Sequence, residues 1–372
     1  MHQTGLQENR GCGKESGSKA AILVDAQKHN EERKQMKEKK VLVTGGGGFL
    51  GKAIVKKLVQ KKANISTFSR ASYTDLHQMG VTQIKGDLTD QRDVLNALEG
   101  VDIVYHAAAK TGFWGPYKEF YEVNVAGTEN ILHGCHQQHV DQFIHTSSPS
   151  VVFDHSDKIN IDERAPYPKT YLTAYSETKA IAERLVIKAS QEGLKSIIIR
   201  PHQIWGPEDN HIFPRIIERG HRLRKIGRKD TRVDTIYIDN AADAHILASE
   251  KLAENPALSG NIYFVSQDEP IHIWDMIDAF LEIAGKPPVK GRVSAKTAYF
   301  VATILEYLFK LLPTKKEPPI SRFLAVELAT SHWFDISKAK NELGYIPKVS
   351  IEAGLKRLCE WYAENGKYRM KG

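Results

Sequence analysis

Tyr175 and Lys179 are the residues of this 372-residue sequence whose types and spacing point most directly to chemistry. They stand four positions apart in the string YSETK, within a helical pattern, so both side chains should project from one helix face. A free tyrosine has a pKa of about 10, and a nearby ammonium group favours its phenolate form. We therefore expect Lys179 to lower the pKa of Tyr175, which would make the phenol a usable proton donor or acceptor. The same spacing also occurs on ordinary amphipathic helices, where the tyrosine belongs to the core.

Ser148 is a second residue with catalytic potential. It is the last of three adjacent hydroxyl residues in the string IHTSSPSVVF, just after a predicted strand. From such a position a serine can donate a hydrogen bond to the carbonyl oxygen of a substrate. A plain Ser/Thr turn at the end of a strand is the alternative.

Gly45, Gly48 and Gly51 lie at three-residue spacing in the string VLVTGGGGFLG, between an apolar run and a helical pattern. The first two keep side chains out of a tight turn, and the third allows the helix to pack closely on the strand. The free N–H groups of the helix N-terminus then favour a phosphate. This strand, turn and helix predict a dinucleotide site, in which we include Phe49 and Leu50.

The end of the second predicted strand, in the string ISTFSR, bears on the choice between NAD and NADP. Enzymes that use NAD usually have an acidic residue there, which accepts hydrogen bonds from the ribose and repels a 2′-phosphate. This chain has Ser69 and Arg70 instead, and a guanidinium group can bind a phosphate. We therefore predict NADP(H) in preference to NAD(H). An ordinary solvated arginine is the alternative interpretation of Arg70.

The composition argues against several classes of protein. Residues 1–40 hold nine Lys/Arg against six Asp/Glu, which is +3 of the total charge of +7, so no nucleic-acid partner is expected. Three cysteines without paired spacing favour a cytoplasmic protein over a disulfide framework. His133, Cys135, His136 and His139 have no carboxylate partner nearby, and we predict no metal site. No apolar run has the length of a transmembrane helix.

Apolar runs alternate with helical patterns from Val41 onward. This predicts an α/β fold, a Rossmann-type doubly wound parallel sheet with a smaller C-terminal substrate lobe. Strands are expected near 41–44, 64–69, 82–85, 102–106, 141–147 and 195–200, and the longest helices near 117–138 and 171–191. Residues 1–39 should form a disordered extension and residues 40–200 an NADP-binding Rossmann domain. Residues 201–372 are then mainly a substrate-binding lobe, interleaved with the last strands and helices of that domain.

Further motifs resemble those of the extended short-chain dehydrogenase/reductase superfamily. Besides the glycine turn and YSETK, the chain has GDL at 86–88, HAAA at 106–109, NVAGT at 124–128 and RPHQIWGP at 200–207. These motifs occur in the order of that superfamily and at plausible spacings. The resemblance extends over nearly the whole chain from residue 40, and homodimers through the two long helices are common in the superfamily.

The resemblance implies roles for the matching residues. Tyr175 is then the acid/base, Lys179 binds the nicotinamide ribose and tunes the phenol, and Ser148 positions the reacting oxygen. Asn124 supports the proton relay. The implied cofactor contacts are Asp87 with Leu88 at the adenine, Ala107 and Ala108 along the cofactor channel, and Pro201 and His202 beside the carboxamide.

The C-terminal half indicates a lipid-like substrate. Residues 299–312 are strongly apolar with basic flanks, which suits a helix that covers an acyl chain or makes a peripheral membrane contact. A buried helix of the smaller lobe is an equal alternative. His202, His211 and Arg215 are candidates for contact with a substrate carboxylate, without preference for any of them. Two tryptophans that could wall an acyl pocket are Trp114 and Trp205.

Three long strings carry a narrower resemblance: FWGPYKEFYEVN, VDTIYIDNAADAH and EPPISRFLAVELATSHWFDI. They resemble the 2-alkyl-3-oxoalkanoate reductases of bacterial long-chain olefin biosynthesis. This implies NADPH-dependent reduction of the 3-keto group of a branched β-keto acid, before β-lactone formation by a neighbouring enzyme. The alternatives are a 3-beta-hydroxysteroid or sterol-4-alpha-carboxylate 3-dehydrogenase and, more distantly, a nucleotide-sugar epimerase or dehydratase.

Overall fold

A computed structural model describes residues 39–312 and 316–369. The predicted disordered extension falls almost wholly on residues 1–38, which lie outside the described residues. In chain order the strands are β1 Lys40–Thr44, β2 Asn64–Ser69, β3 Thr82–Lys85, β4 Ile103–His106, β5 Gln142–Thr146, β6 Lys158–Ile161, β7 Lys195–Pro201, β8 Ile204–Trp205, β9 Lys225–Ile226, β10 Arg232–Val233, β11 Ile236–Tyr237, β12 Ile262–Val265, β13 Ile271–His272, β14 Arg292–Val293 and β15 His332–Phe334. The α-helices are α1 Phe49–Gln60, α2 Thr74–Gln78, α3 Gln91–Ala97, α4 Tyr117–Tyr121, α5 Gly127–Gln137, α6 Ala174–Gln191, α7 Ile212–Arg219, α8 Ile238–Glu254, α9 Ile273–Ile283, α10 Ala295–Leu311, α11 Arg322–Glu327 and α12 Ile351–Arg369.

Seven parallel strands form the main sheet in the order β12-β7-β5-β4-β1-β2-β3. Along β1, Val41 and Val43 pack into the apolar cluster on one face, and Leu42 packs into the cluster on the other. Burial on both faces is typical of a parallel sheet between two helical layers. One layer contains α1 and α8, and the other contains α3, α5 and α6. The predicted Rossmann-type α/β fold is therefore confirmed.

All six predicted strands are present within one residue of their expected limits. The seventh strand, β12, pairs parallel with β7 at the edge of the sheet and had no predicted position. The predicted helix at 117–138 is an α-helix, a π-helical turn at Glu122–Ala126 and a second α-helix. Helix α6 begins at Ala174, where the Thr173 side chain caps it by accepting the N–H of Ser176 over 3.1 Å.

The strand order reverses between β1 and β4. The chain passes from β1 outward to β3, and then crosses back to place β4 on the other side of β1. In open α/β sheets, ligands bind at the carboxyl ends of the strands at such a reversal. The glycine turn follows β1 and Ala107 follows β4, so both predicted cofactor segments lie at this point.

A smaller lobe adjoins the main sheet. It contains the mixed sheet β13-β10-β15-β6 and the helices α9 to α11, which share an apolar cluster of their own. This agrees with the predicted smaller C-terminal substrate lobe. The division of the chain at residue 200 into two domains remains a prediction.

Helix α10 has a large exposed apolar face. Phe300 is 66% exposed, Tyr307 65% and Leu311 84%, while Ala298 and Ala302 face the lobe. Residues 299–312 therefore do not form a buried core helix. None of the described helices combines the length and the apolar character needed to cross a bilayer.

Candidate active site

The turn between β1 and α1 is packed so closely that it requires glycine at two positions. Gly45 has a φ of +69°, and a Cβ at this position would lie 2.9 Å from the Cα of Ala108. A Cβ on Gly51 would overlap the carbonyl oxygen of Gly45. Helix α1 has neither a side-chain cap nor an acidic residue in its first turn, so its first N–H groups are open to an anion. The turn fits the pyrophosphate of a dinucleotide.

Ser148 and Tyr175 are brought together on the wall of one cavity. Burial raises the pKa of Tyr175 above its ordinary value, and the nearby Ser148 hydroxyl offsets part of this rise. The expected lowering by Lys179 is therefore wrong for the chain itself, because desolvation of the phenolate dominates the shift and Lys179 does not contribute to it. A phenol with a raised pKa stays protonated at neutral pH, as a proton donor must be before the reaction.

The ammonium group of Lys179 is directed at the end of β5. Its Nζ donates to the carbonyl oxygen of Thr146 over 2.6 Å and lies 3.3 Å from Nε2 of His145. Burial lowers the pKa of Lys179 to about 8, although the nearby Glu183 carboxylate acts in the opposite direction. The side chain is only 3% exposed, so water cannot stabilise its charge.

Glu183 lies one helical turn beyond Lys179 and anchors a buried charged cluster. Its carboxylate accepts from Nη2 and Nε of Arg200 over 2.5 and 3.0 Å. It also accepts from the hydroxyls of Ser147 and Tyr167 over 2.5 and 2.6 Å. These contacts hold α6 against the carboxyl ends of β5 and β7, where the reacting groups must be placed.

Asn124 lies in the π-helical turn and is 2% exposed. Its Oδ1 accepts the N–H of Lys110 over 2.7 Å, and its Nδ2 donates to the carbonyl oxygen of Lys110 over 3.1 Å. The same Nδ2 donates to Oγ1 of Thr178 over 3.0 Å. Asn124 thereby connects the loop after β4 to the helix of Tyr175 and Lys179. Single π-helical turns of this kind are frequent at functional sites.

The four residues predicted at the adenosine end lie at the carboxyl ends of β2 and β3. Ser69 is the last residue of β2, and Arg70 is exposed without an ion pair or hydrogen bond to another described residue. Asp87 follows β3, and its Oδ1 accepts two hydrogen bonds from Thr89, both 2.9 Å long. Leu88 is buried under the helical layer. The placement suits an adenosine, and the individual contacts remain predictions.

A cavity of about 460 Å³ joins the glycine turn to the smaller lobe. Eleven predicted site residues line it: Gly45, Gly48, Phe49, Leu50, Gly51, Ala107, Ser148, Tyr175, Lys179, Pro201 and His202. Six do not: Ser69, Arg70, Asp87, Leu88, Ala108 and Asn124. The smaller lobe contributes an apolar wall that includes Ile216, Met276, Ile277, Phe280, Phe323 and Leu324. A polar reacting group and a hydrocarbon chain can therefore lie in one cavity.

The residues considered for contact with a substrate also line this cavity. Arg215 donates to the Glu317 carboxylate over 2.6 Å, so its charge is already compensated. His211 is exposed and lies close enough to Arg215 for the two charges to interact. Trp114 is partly exposed, whereas Trp205 is 1% exposed and belongs to the core as much as to the cavity.

Two groups of polar residues near the site were not predicted from the sequence. Glu183 and Arg200 could have been found, since Glu183 continues the four-residue spacing of Tyr175 and Lys179 and Arg200 opens RPHQIWGP. Glu327 and His332 lie next to His202, and chain spacing gives no signal of that contact. Burial raises the pKa of Glu327 to about 7 and lowers that of His332 to about 4.

Comparison with known proteins shows which families and enzymes this chain is similar to. Residues 42–291 match the sequence profile of the 3-beta hydroxysteroid dehydrogenase/isomerase family. The chain is 44% identical over 324 residues to a 2-alkyl-3-oxoalkanoate reductase of Stenotrophomonas maltophilia (strain K279a), covering 86% of this chain and 98% of the relative. It is 34% identical over 327 residues to a decarboxylating sterol-4-alpha-carboxylate 3-dehydrogenase of Schizosaccharomyces pombe, covering 85% and 95%.

A solved structure supports the fold alone. The dTDP-glucose 4,6-dehydratase DesIV of Streptomyces venezuelae, with NAD and TYD bound, superposes with a TM-score of 0.70 at 22% identity. The match covers 89% of this chain and 99% of that one.

Proposed function

The chain belongs to the 3-beta hydroxysteroid dehydrogenase/isomerase family, and on that premise we propose that it is an NADPH-dependent reductase of 2-alkyl-3-oxoalkanoic acids. It is an oxidoreductase that acts on CH–OH or ketone groups, as its relatives are. The reaction converts the 3-keto group into a 3-hydroxyl group. Following the resemblance, its place is in long-chain olefin or lipid biosynthesis, where a neighbouring enzyme forms a β-lactone from the product.

One observation carries this proposal. The cavity that holds Ser148, Tyr175 and Lys179 continues from the glycine turn to an apolar wall. A β-keto acid with two alkyl chains needs this combination, because its ketone must meet the proton donor while its chains leave water.

The residues of this chain supply proton transfer and positioning. When bound, a reduced nicotinamide supplies the hydride for the ketone carbon. Tyr175 donates its phenol proton to the ketone oxygen, and Ser148 donates a hydrogen bond to the same oxygen. Lys179 binds the ribose, and Asn124 and Glu183 hold the helix that carries Tyr175. Fixing these groups around one oxygen makes the step effectively unimolecular.

A nicotinamide dinucleotide fits the glycine turn, which lines the cavity, and the uncapped start of α1. Our finer proposal is NADP(H). No acidic residue ends β2, and Arg70, which is exposed and has no ion pair with any residue that the structure describes, can bind a 2′-phosphate. The adenine contact of Asp87 and Leu88, the channel formed by Ala107 and Ala108, and the place of Pro201 and His202 beside the carboxamide follow from the family resemblance.

The test is turnover by the purified full-length chain. Freshly prepared 2-alkyl-3-oxoalkanoic acid should cause loss of NADPH absorbance and give the 3-hydroxy acid by mass spectrometry. The matched control is the corresponding dialkyl ketone without the carboxyl group, which should be reduced more slowly. If NADPH is consumed only with a nucleotide sugar, the proposal is wrong.

A sterol-4-alpha-carboxylate is the second candidate substrate, since the relative of that name is 34% identical. It shares an oxygen function β to a carboxylate, and it should be tested as an alcohol with NAD or NADP. A nucleotide sugar fits less well. Arg215 and Arg219 lie on the cavity wall, but both pair with Glu317, which compensates one of the two charges that a diphosphate would need.

We further propose that the protein is cytoplasmic and that α10 makes a peripheral contact with membranes. Its exposed apolar face could enter the lipid headgroup region. In flotation with anionic vesicles, the wild type should bind and Phe300→Asp should not. Ile346→Asp is the control, because Ile346 is 70% exposed but lies outside α10. Equal binding by both variants would contradict this location.

We propose a homodimer, because homodimers are common in the superfamily that the chain resembles. Its interface would include the helical segments at 117–137 and 174–191, where Tyr117 is 43% and Tyr121 40% exposed. Sedimentation equilibrium of the wild type and of Tyr121→Asp tests it. We expect a dimer for the wild type and weaker association for the variant, and a monomeric wild type would contradict it.

A further inference from the structure

His202, Glu327 and His332 bring three potential metal-ligating side chains together from distant parts of the chain. His202 follows β7, Glu327 ends α11 and His332 begins β15. One nitrogen or oxygen atom of each lies within 4.8 Å of the others. His202 and Glu327 also line the substrate cavity.

Backbone carbonyls orient both imidazole rings. Nδ1 of His202 lies 2.8 Å from the carbonyl oxygen of Asp234, and Nε2 of His332 lies 3.2 Å from that of Glu327. A carbonyl oxygen only accepts, so these two nitrogens carry the ring protons. The other nitrogen of each neutral ring, Nε2 in His202 and Nδ1 in His332, presents a lone pair. A ring N–H bonded to a backbone carbonyl is the usual arrangement of histidines that bind metals.

The cluster is rich in acceptors and poor in donors. His332 is fully buried, and its Nδ1 has no hydrogen-bond partner within the described part of the chain. The Glu327 carboxylate receives one bond, from the Gln203 amide over 3.3 Å. A buried acceptor without a donor costs free energy. A cation would remove this cost, since two nitrogen lone pairs and a carboxylate oxygen can coordinate it together.

We propose that His202, Glu327 and His332 bind a divalent transition metal of the Zn²⁺ type. Two imidazoles and one carboxylate are the ligand set of several catalytic zinc sites, which keep a fourth position open. Ligand atoms around one tetrahedral Zn²⁺ are about 3.4 Å apart, so the side chains draw together on binding by at most about 1.4 Å from their present limit of 4.8 Å. The open position faces the cavity, where it takes the carboxylate of an acidic substrate. This last step rests on the proposed function, whereas metal binding itself does not.

This site differs from the sequence prediction of no metal. That prediction considered only His133, Cys135, His136 and His139, which are close together in the chain. The new ligands are contributed by three separate elements, and only the fold brings them together. If the His202 side chain binds a metal, only the His202 backbone is left to contact the nicotinamide carboxamide.

Metal binding can be measured without turnover. The full-length chain, stripped with a chelator, is titrated with Co²⁺ and followed by its visible absorption, and then with Zn²⁺ against a chromophoric chelator. We expect one site per chain. His332→Gln and Glu327→Gln should each weaken affinity by at least about 100-fold, since even second-shell changes cost 10- to 100-fold. Circular dichroism of each metal-free variant confirms that it is folded.

Two controls separate this cluster from other histidines. His272→Gln removes a ring whose Nδ1 is also buried without a partner, but outside the cluster. The double variant His133→Gln/His136→Gln removes the histidines singled out in the sequence. Both should bind Co²⁺ as the wild type does. The proposal is overturned if the wild type binds no metal, which would leave hydrogen bonding by a protonated Glu327, or if His332→Gln binds as tightly as the wild type.

The substrate step has its own readout. A 2-alkyl-3-hydroxy acid should shift the visible spectrum of the Co²⁺-loaded chain, and its methyl ester should not. If Co²⁺ binds and neither compound changes the spectrum, the coordinated carboxylate is wrong while the metal site stands. Failure of the proposed function would appear elsewhere, as absence of NADPH oxidation by a chain that still binds the metal.

Discussion

Asn124 and Thr178 join two helices through one hydrogen bond, in which Nδ2 of Asn124 donates to Oγ1 of Thr178 over 3.0 Å. Thr178 directly precedes Lys179 in the chain, so the bond acts on the helical turn that carries the ammonium group. The same amide satisfies both the N–H and the carbonyl oxygen of Lys110. Asn124 does not line the cavity, and its influence on chemistry must pass through these contacts.

Asn124→Ala should lower stability and kcat together. The backbone groups of Lys110 lose their partners, and each unsatisfied buried group costs about 1–3 kcal/mol. The free energy of unfolding in urea should therefore fall by about 2 kcal/mol or more. The KM for substrate should change less than kcat, because no substrate contact is removed. Thr178→Val leaves the Lys110 contacts in place and removes the bond between the helices together with the bond from the Thr178 hydroxyl to the carbonyl oxygen of Ala174, so it should cost about 1 kcal/mol. An Asn124→Ala chain as stable as the wild type would contradict this role.

Tyr175→Phe should abolish most of the ketone reduction. The variant loses the proton donor, and general acid catalysis typically contributes about 10²- to 10⁴-fold. Binding of NADPH should change little, as measured by fluorescence titration. The matched control is Tyr171→Phe, because the Tyr171 hydroxyl is buried without a partner among the residues described. It should keep near-normal kcat. A Tyr175→Phe chain that turns over at the wild-type rate would exclude the proposed proton transfer.

Lys179 should make stability depend on pH in a defined window. Burial lowers its pKa to about 8 from 10.5, so between these values the unfolded chain holds a proton that the folded chain lacks. Stability from this group therefore rises with pH across the window. Relative to Lys179→Met, the wild type should gain about 1.4 kcal/mol per pH unit, or about 3 kcal/mol in total. Urea unfolding of both chains measures the difference, in which shared groups cancel. A difference that stays constant with pH would contradict the lowered pKa.

Removing one partner of the Glu183–Arg200 ion pair should lower the free energy of unfolding much more than replacing both partners with apolar residues. Arg200 is 1% exposed and Glu183 is fully buried, so loss of either partner leaves an uncompensated charge. Arg200→Met alone should lower the free energy of unfolding by about 3–5 kcal/mol. Adding Glu183→Leu to it should recover part of that loss, since apolar replacement of a buried ion pair is often neutral. A double variant as unstable as the sum of the two single variants would show that the pair is not coupled.

The sequence predicts the strands and helices of this protein better than the pKa shifts and the side-chain contacts of its site. The strands predicted at 41–44 and 102–106 lie within one residue of their expected limits because apolar runs between turns record burial directly. Strand Ile262–Val265 was not placed, since its position at the sheet edge depends on pairing with a distant strand. The direction of the Tyr175 pKa shift was wrong because desolvation depends on what surrounds the phenol in three dimensions. The Glu327–His332 contact was missed for the same reason.

Arg70→Ala should weaken NADPH far more than NADH. The guanidinium is exposed and unpaired among the described residues, so its removal should hardly change the stability of the fold. A bound 2′-phosphate, however, would lose its charge partner. Charge-assisted hydrogen bonds contribute about 1.5–3 kcal/mol, which corresponds to about 10- to 150-fold in the Kd of NADPH. Arg164→Ala, an exposed arginine beside the smaller sheet, should leave both affinities unchanged.

Ser69→Asp tests the same preference for NADPH over NADH by adding an acidic residue instead of removing a basic one. An acidic residue at the end of β2 accepts from the ribose hydroxyls and repels a 2′-phosphate, so Kd should fall for NADH and rise for NADPH. Fluorescence titration of both cofactors with each variant measures the ratio of the two Kd values. Because Ser69 and Arg70 are adjacent at this strand end, both substitutions should move the ratio toward NADH. Equal losses for NADPH and NADH in Arg70→Ala would exclude Arg70 as the phosphate ligand, whatever the result for Ser69→Asp.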